Sequence, residues 1–326
     1  MKKVLWVTQL QALMCMGVFV SSIAYAQEVC DGDPLVNVPR KVQSVAKGHH
    51  VHKVKRVRAP NPTLISQHGE VLLRDANGKS RPLLDASGLL TAIKNGDTLQ
   101  TLGDGFTSIR SSDGSRLVIP SNSTVYLKRI SQAPIQIELK QGRVENYVAD
   151  SSKSTAKNKA KTSYQIRTPA VTLSVRGTQF RVQYSEGENV ARTAISDGLV
   201  AAQRPSVCAA ATLLERGDGA LVSQQGIKKV PMLPAPDLSG LSPVVRGDDM
   251  GFKLPAMDKA VQYHIQAAYD EQFLSVVKEG YSKTPDLKLG HLDSGFYFVR
   301  FTAIDANGIE GFASSDHFLY QPDTPY

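Results

Sequence analysis

The chain has 326 residues, of which 41% are hydrophobic, 21% charged and 7% aromatic, an ordinary globular composition long enough for about two cores. Collagen-like, coiled-coil and wholly disordered chains are excluded. It carries 38 Lys and Arg against 30 Asp and Glu, a formal net charge of +8, and that excess is concentrated in one stretch.

Lys2 and Lys3 open the chain, Val4 to Ile23 is mostly apolar, and Ala24-Tyr25-Ala26 supplies the small-x-small pattern of a cleavage site. Residues 1–26 therefore read as a cleaved signal peptide, with a mature start at Gln27 and a periplasmic destination. The alternative is an uncleaved anchor, but Thr8, Gln9 and Gln11 interrupt the apolar run and no stop-transfer charges follow. Cys15 leaves with the leader, so Cys30 and Cys208 remain. In an oxidising compartment these two are expected to pair, closing a long loop; two unpaired thiols are the alternative.

Residues 27–62 form a basic N-terminal segment. Arg40, Lys41, Lys47, Lys53, Lys55, Arg56 and Arg58 lie in it without a single acid between them, and the rest of the mature chain is nearly neutral. Such an arm suits an anionic cell-wall or lipid surface, or an acidic partner, and is otherwise a solvated leader. It has no interleaved aromatics for stacking bases, which argues against nucleic acid. His49, His50 and His52 sit in the same arm without a carboxylate or cysteine beside them, so no coordination geometry is specified and no metal is assigned.

From Thr63 to about Val230 the pattern is one of short strands with no helix-length periodicity. Phe106 to Arg110 alternates apolar and polar residues, Ser112-Asp113-Gly114 makes a turn, and Leu117 to Ile119 returns as the second arm of a hairpin. Ile135, Ile137 and Leu139 alternate with Gln136, Glu138 and Lys140, giving one wet and one buried face; Gln141-Gly142 interrupts, and Val144 to Val148 resumes. Phe180, Val182 and Tyr184 alternate again, as do Ala194 to Val200 around Asp197-Gly198. Gly114 and Gly198 occupy positions where a tight hairpin needs positive φ, whereas Gly142 and Gly177 suggest bulges or close backbone approach. Asp150 to Ser163, with four lysines among small polar residues, reads as an exposed excursion between strands.

Six blocks now stand in order: Gly96-Asp97-Thr98-Leu99-Gln100-Thr101, Asp113-Gly114-Ser115-Arg116-Leu117, Leu139-Lys140-Gln141-Gly142-Arg143-Val144, Ile166-Arg167-Thr168-Pro169, Val175-Arg176-Gly177-Thr178-Gln179-Phe180 and Ser196-Asp197-Gly198-Leu199-Val200. Their succession over Gly96 to Val222 resembles the FecR domain of bacterial envelope regulators. The resemblance implies an all-β, twisted, solenoid-like domain over residues 63–229 that works by protein contact and uses no cofactor. Arg176 is the one motif residue with a candidate role, holding a partner's carboxylate; pairing inside the fold is the alternative. The family's regulators handle a sigma factor through a cytoplasmic segment ahead of this domain. Here only Met1, Lys2 and Lys3 precede the apolar run, so that activity is not expected.

Pro231, Pro234, Pro236 and Pro243 mark residues 230–243 as a semi-rigid linker. Beyond it, Val261, Tyr263 and Ile265 alternate with Gln262, His264 and Gln266, Tyr297 to Ala303 forms a further strand, and Asp305-Ala306-Asn307-Gly308 makes a turn. Residues 244–326 fit a small β-sandwich. Gly295-x-Tyr297-x-x-Arg300 followed by Ala303-Ile304-Asp305 resembles fibronectin type III-like, immunoglobulin-type modules. The remaining histidines (His68, His264, His291, His317) are scattered, and no nucleophile elbow, zinc-binding histidine pair or phosphate loop occurs. The sequence thus predicts no catalytic residues. It predicts a non-enzymatic envelope protein that contacts a partner protein in signalling or assembly, with a peptidoglycan- or polysaccharide-binding scaffold as the alternative.

Overall fold

The computed structural model describes residues 62–85, 87–88, 90, 92–149, 164–205 and 210–323. The leader, the basic arm with its seven cations and three histidines, Cys30, Cys208 and the lysine-rich stretch 150–163 lie outside the described residues, as do the contacts expected of them. Every regular element among the described residues is a β-strand; the chain is all-β, and none of its sheets closes into a barrel.

The first fourteen strands form one branched sheet. They are β1 (Thr63–His68), β2 (Val71–Arg74), β3 (Ser80–Pro82), β4 (Asp97–Thr101), β5 (Phe106–Arg110), β6 (Arg116–Ile119), β7 (Ser123–Arg129), β8 (Ile135–Tyr147), β9 (Tyr164–Arg167), β10 (Thr172–Ser185), β11 (Val190–Gln203), β12 (Thr212–Glu215), β13 (Asp218–Ser223) and β14 (Gly226–Pro231). The main path runs β14-β13-β11-β10-β9-β8-β7-β4-β2-β3, and β1, β5 and β6 branch from β8. Alternation decides which side faces inward. Ile135, Ile137, Leu139, Val144, Phe180, Val182 and Ile195 are buried in one continuous core that runs from Val71 to Val222.

Three strands are much longer than the short strands that the sequence pattern suggests. Both β10 and β11 run for 14 residues and β8 for 13. Gly142 (φ +88°) does not end β8, and Gly198 (φ +84°) does not make a hairpin turn; each is a bulge within a continuing strand. A Cβ on Gly142 would lie 2.5 Å from Asn122 O, and one on Gly198 would lie 2.6 Å from Gly177 O. A bulge absorbs the extra residue and bends the strand without ending its pairing, so these positions need glycine. Gly114 (φ +87°) does sit in the expected turn between β5 and β6.

The remaining strands are β15 (Val244–Arg246), β16 (Gly251–Lys253), β17 (Gln262–Ala268), β18 (Val276–Ser282), β19 (Asp286–Lys288), β20 (Gly295–Ile304) and β21 (Glu310–Gln321). They make a five-stranded sheet, β15-β21-β20-β17-β18, and a two-stranded sheet, β16-β19. Phe252, Leu287, Ile265, Val299, Phe301 and Phe318 fill the space between the sheets, with the Phe252 ring edge-on to Phe301 and Phe318. Residues 230–243, read from their prolines as a semi-rigid linker, pack against the second unit. Met232 and Leu233 are buried, Phe312 N–H donates to Leu233 O at 2.9 Å, and Leu319 N–H donates to Pro243 O at 2.9 Å. Proline's missing N–H suits this edge position, where only its carbonyl is used.

Candidate functional site

Strand period 2 gives every sheet a second face, and in both units that face carries long polar side chains. On the first unit, cross-strand partners align into a row of Ser108, Val118, Glu145, Arg181 and Ala194, taken from β5, β6, β8, β10 and β11. On the second, Glu279, Gln266 and Arg300 align across β18, β17 and β20, and Tyr281, His264 and Thr302 form the next row. Along these rows most of the side chains are buried. The two faces pack against each other.

Arg300 is the centre of this contact. Its Nη2 lies 2.7 Å from both Glu145 carboxylate oxygens, and Nε donates to Gln266 Oε1 at 3.1 Å. The guanidinium also lies over the Phe273 ring, 4.4 Å from its centroid. Arg181 pairs with Glu310 Oε1 at 2.7 Å and donates to Gly311 O at 2.9 Å. Arg143 donates to Glu279 and to the Tyr281 hydroxyl. His264, 2% exposed, stands between two carboxylates: Nδ1 is 2.7 Å from Glu310 Oε1 and Nε2 is 3.0 Å from Glu279 Oε2. Each ring nitrogen thus faces a different carboxylate. Three guanidiniums and the His264 ring face three carboxylates in one buried layer.

The electrostatics follow from that arrangement. Burial alone would push the carboxyls of Glu145, Glu279 and Glu310 up. Instead Arg300 holds Glu145 down, Arg143 holds Glu279 down, and Arg181 holds Glu310 down, with His264 adding to the last two. All three end below the ordinary carboxyl range, so all are ionised. Arg143 and Arg300 are raised despite their burial, by Glu279 and Glu145 respectively. His264, Glu279 and Glu310 are all metal-ligand types, but each ring nitrogen points at a different carboxylate, and no metal-holding group of three occurs among the described residues. The arrangement does one thing well. It fixes two sheets in a single register.

Small apolar clusters flank the charged layer on two sides. Phe106 of β5 meets Ala268, Phe273, Val276 and Phe298, and Ala194 meets Met232, Ile309 and Phe312. Ser66 and Ser275 hydroxyls lie 2.8 Å apart across the same contact, and Ser108 Oγ donates to Leu274 O at 2.5 Å.

Beyond the edge of the sandwich the face of the first unit stays open. An open groove of about 640 Å³ is lined by Arg110, Arg116, Tyr147, Gln179 and Asp197, together with Gly177 and Thr178. The motif residues fall around this groove or serve the fold. Asp113 accepts from Ser115 N–H at 2.9 Å and from the Ser111 hydroxyl at 2.6 Å, closing its turn. The Thr178 hydroxyl accepts from Leu199 N–H at 3.3 Å, spanning the paired bulges of Gly177 and Gly198. Phe180 is in the core. Arg176 is half-buried on β10 and already engaged in its own contact.

Residues 97–201, from β4 almost to the end of β11, match the family model described as FecR protein. This stretch is a FecR domain. It contains Arg143, Glu145 and Arg181 of the charged layer and every residue that lines the open groove. No curated protein matches the chain. Among solved structures it is similar to two of a candidate anti-sigma factor from Parabacteroides distasonis, at 14% identity and a TM-score of 0.34, covering 41% of this chain and 59% of each of those. It is also similar to the extracellular domain of a candidate one-component system from B. thetaiotaomicron, at 9% identity and a TM-score of 0.19, covering 73% of this chain and 42% of that one. The chain thus spans about three fifths of the anti-sigma factor structures.

Sequence reasoning placed the FecR domain but missed the charged layer that joins it to the sandwich. Arg181, Glu145, His264 and Arg300 occupy the outward positions of their strands, and outward alternation reads as solvent whether water or another polar face lies beyond.

Proposed function

We propose that this chain is an exported, non-enzymatic FecR-domain protein that works through protein–protein contact in envelope signalling or assembly. The observation that carries the reading is the FecR match over residues 97–201. The Ala24-Tyr25-Ala26 site supports export, and we read the five-on-two sandwich of residues 244–321 as a fibronectin III-like module that presents the FecR domain in a fixed orientation. Its mechanism is surface complementarity with no bond made or broken. In this reading the buried charged layer supplies register, since buried ion pairs specify geometry more than they stabilise. The basic arm adds contact with an anionic surface of the envelope.

The test separates contact with protein from contact with the wall. The full mature chain, immobilised, is incubated with envelope extract, and in parallel sedimented with purified peptidoglycan. The reading expects a stoichiometric protein partner, and only such co-sedimentation through the basic arm as added salt removes. Strong peptidoglycan sedimentation with no protein retained would replace it by the scaffold function.

A further inference from the structure

Five of the residues that line the open groove form a single transverse row of cross-strand neighbours. Arg110 on β5 is opposite Arg116 on β6, Arg116 opposite Tyr147 on β8, Tyr147 opposite Gln179 on β10, and Gln179 opposite Asp197 on β11. The neighbouring row, Ser108 to Ala194, lies two residues away on four of these strands and three on β11, where the register shifts, and is the one covered by the sandwich. Gln272, from the segment after β17, reaches Arg116 and marks where cover stops. Arg110, Gln179 and Asp197 are exposed. Arg116 is half-buried, its guanidinium 5.2 Å from the centroid of the Tyr147 ring. Read across the strands, the row has two cations at one end, an aromatic and an amide in the middle, and an anion at the other end.

We infer that this row is a recognition groove for an extended peptide segment of mixed charge, with its carboxylates at the Arg110–Arg116 end and a basic side chain at the Asp197 end. This inference rests on reading the chain as a contact protein and names the site and the partner chemistry. Length fits. Four strand spacings of about 4.8 Å separate the ends of the row, roughly 19 Å, which about six extended residues span. Volume fits as well, because 640 Å³ is within the usual range of about 300–1,000 Å³ for ligand sites. Arg110 offers an unshared planar fork for a carboxylate. Gln179 offers a donor and an acceptor to a peptide group, and the Tyr147 ring, already holding Arg116, gives an apolar platform. Asp197 decides between ligand classes. A uniformly anionic glycan or a lipid headgroup surface would meet repulsion there, whereas a heteropolymer can place a lysine or arginine over it.

The probe is a displayed library of random heptapeptides, panned against the full mature chain and measured by fluorescence anisotropy. Arg110→Glu and Asp197→Lys are the variants, and both side chains are exposed, so the thermal transition is expected to stay unchanged and is recorded for each. Recovered peptides should carry acids at one end and a base at the other. Arg110→Glu should weaken them at least tenfold, and panning against Asp197→Lys should recover peptides acidic at both ends. Recovered peptides without charge polarity, no recovered binder, or equal affinity for Arg110→Glu would overturn the inference. So would dextran sulfate binding more tightly than the peptides and more tightly still to Asp197→Asn, which would assign the groove to a polyanionic glycan. If a captured envelope protein is retained equally by Arg110→Glu, the groove fails while the contact reading stands.

Discussion

Replacing Arg300 by methionine should lower the unfolding free energy by about 3–5 kcal/mol, the usual cost of stranding one member of a buried ion pair. Glu145, 3% exposed, would keep its charge and lose a guanidinium 2.7 Å from both its oxygens. Against a total stability on the order of 5–15 kcal/mol, this is a large fraction. The loss should fall on the contact between the units, so urea unfolding should separate into two transitions where the parent shows one. Removing both charges is different. Glu145→Leu combined with Arg300→Met leaves no orphaned ion and should recover most of the loss. The only tryptophan, Trp6, lies outside the described residues and far from this contact in sequence, so circular dichroism and tyrosine fluorescence are the probes. Equal destabilisation by the single and the double variant would show that the pair's charge is not what matters.

Acid should open the same contact. Glu145, Glu279 and Glu310 are held below their ordinary value of about 4.5 by Arg300, Arg143 and Arg181, with His264 facing two of them. A carboxyl whose folded value lies below its unfolded one contributes stability that is complete above the unfolded value and is lost as pH falls through the folded one. Stability should therefore be nearly flat from pH 7 to about 5.5 and fall steeply below about pH 4.5, as the unfolded chain takes up protons that the folded layer refuses. Three buried carboxyls acting together make this slope steeper than exposed acids would. Denaturation midpoints measured at intervals of pH check it, and the slope should shrink in Glu145→Leu combined with Arg300→Met. A midpoint that does not move between pH 5.5 and pH 3 would contradict the ionised layer.

Hydrophobic alternation made most of the fold legible. The β5–β6 hairpin, the buried stripe of Ile135, Ile137 and Leu139, and the inward residues of β10, β17 and β20 all follow from period 2. Alternation was less informative about length. Gly142 and Gly198 carry the positive φ that ends strands elsewhere, yet here the chain continues on both sides, because a bulge and a turn ask the same of glycine locally and differ only in the partner strand. The prolines of 230–243 suggested separation, but Leu233 and Pro243 carbonyls pair with β21, a long-range contact with no local signal. The charged layer was hidden for a similar reason. Its one sequence trace is the presence of large, ionisable side chains (Arg143, Glu145, Arg181; His264, Glu279, Arg300) at consecutive outward positions on both units, which suits mutual burial but equally suits water.

The FecR domain and the sandwich are docked face to face through that layer. Ser66 and Ser275 test that docking most directly, since they belong to different units, are 209 residues apart, and have hydroxyls 2.8 Å from each other. With Ser66→Cys and Ser275→Cys in the same chain, mild oxidation should join the two new thiols nearly completely, and mass spectrometry of a non-reduced digest should find their peptides linked. Recovering both peptides separately alkylated, from a chain that still folds, would contradict the docked arrangement.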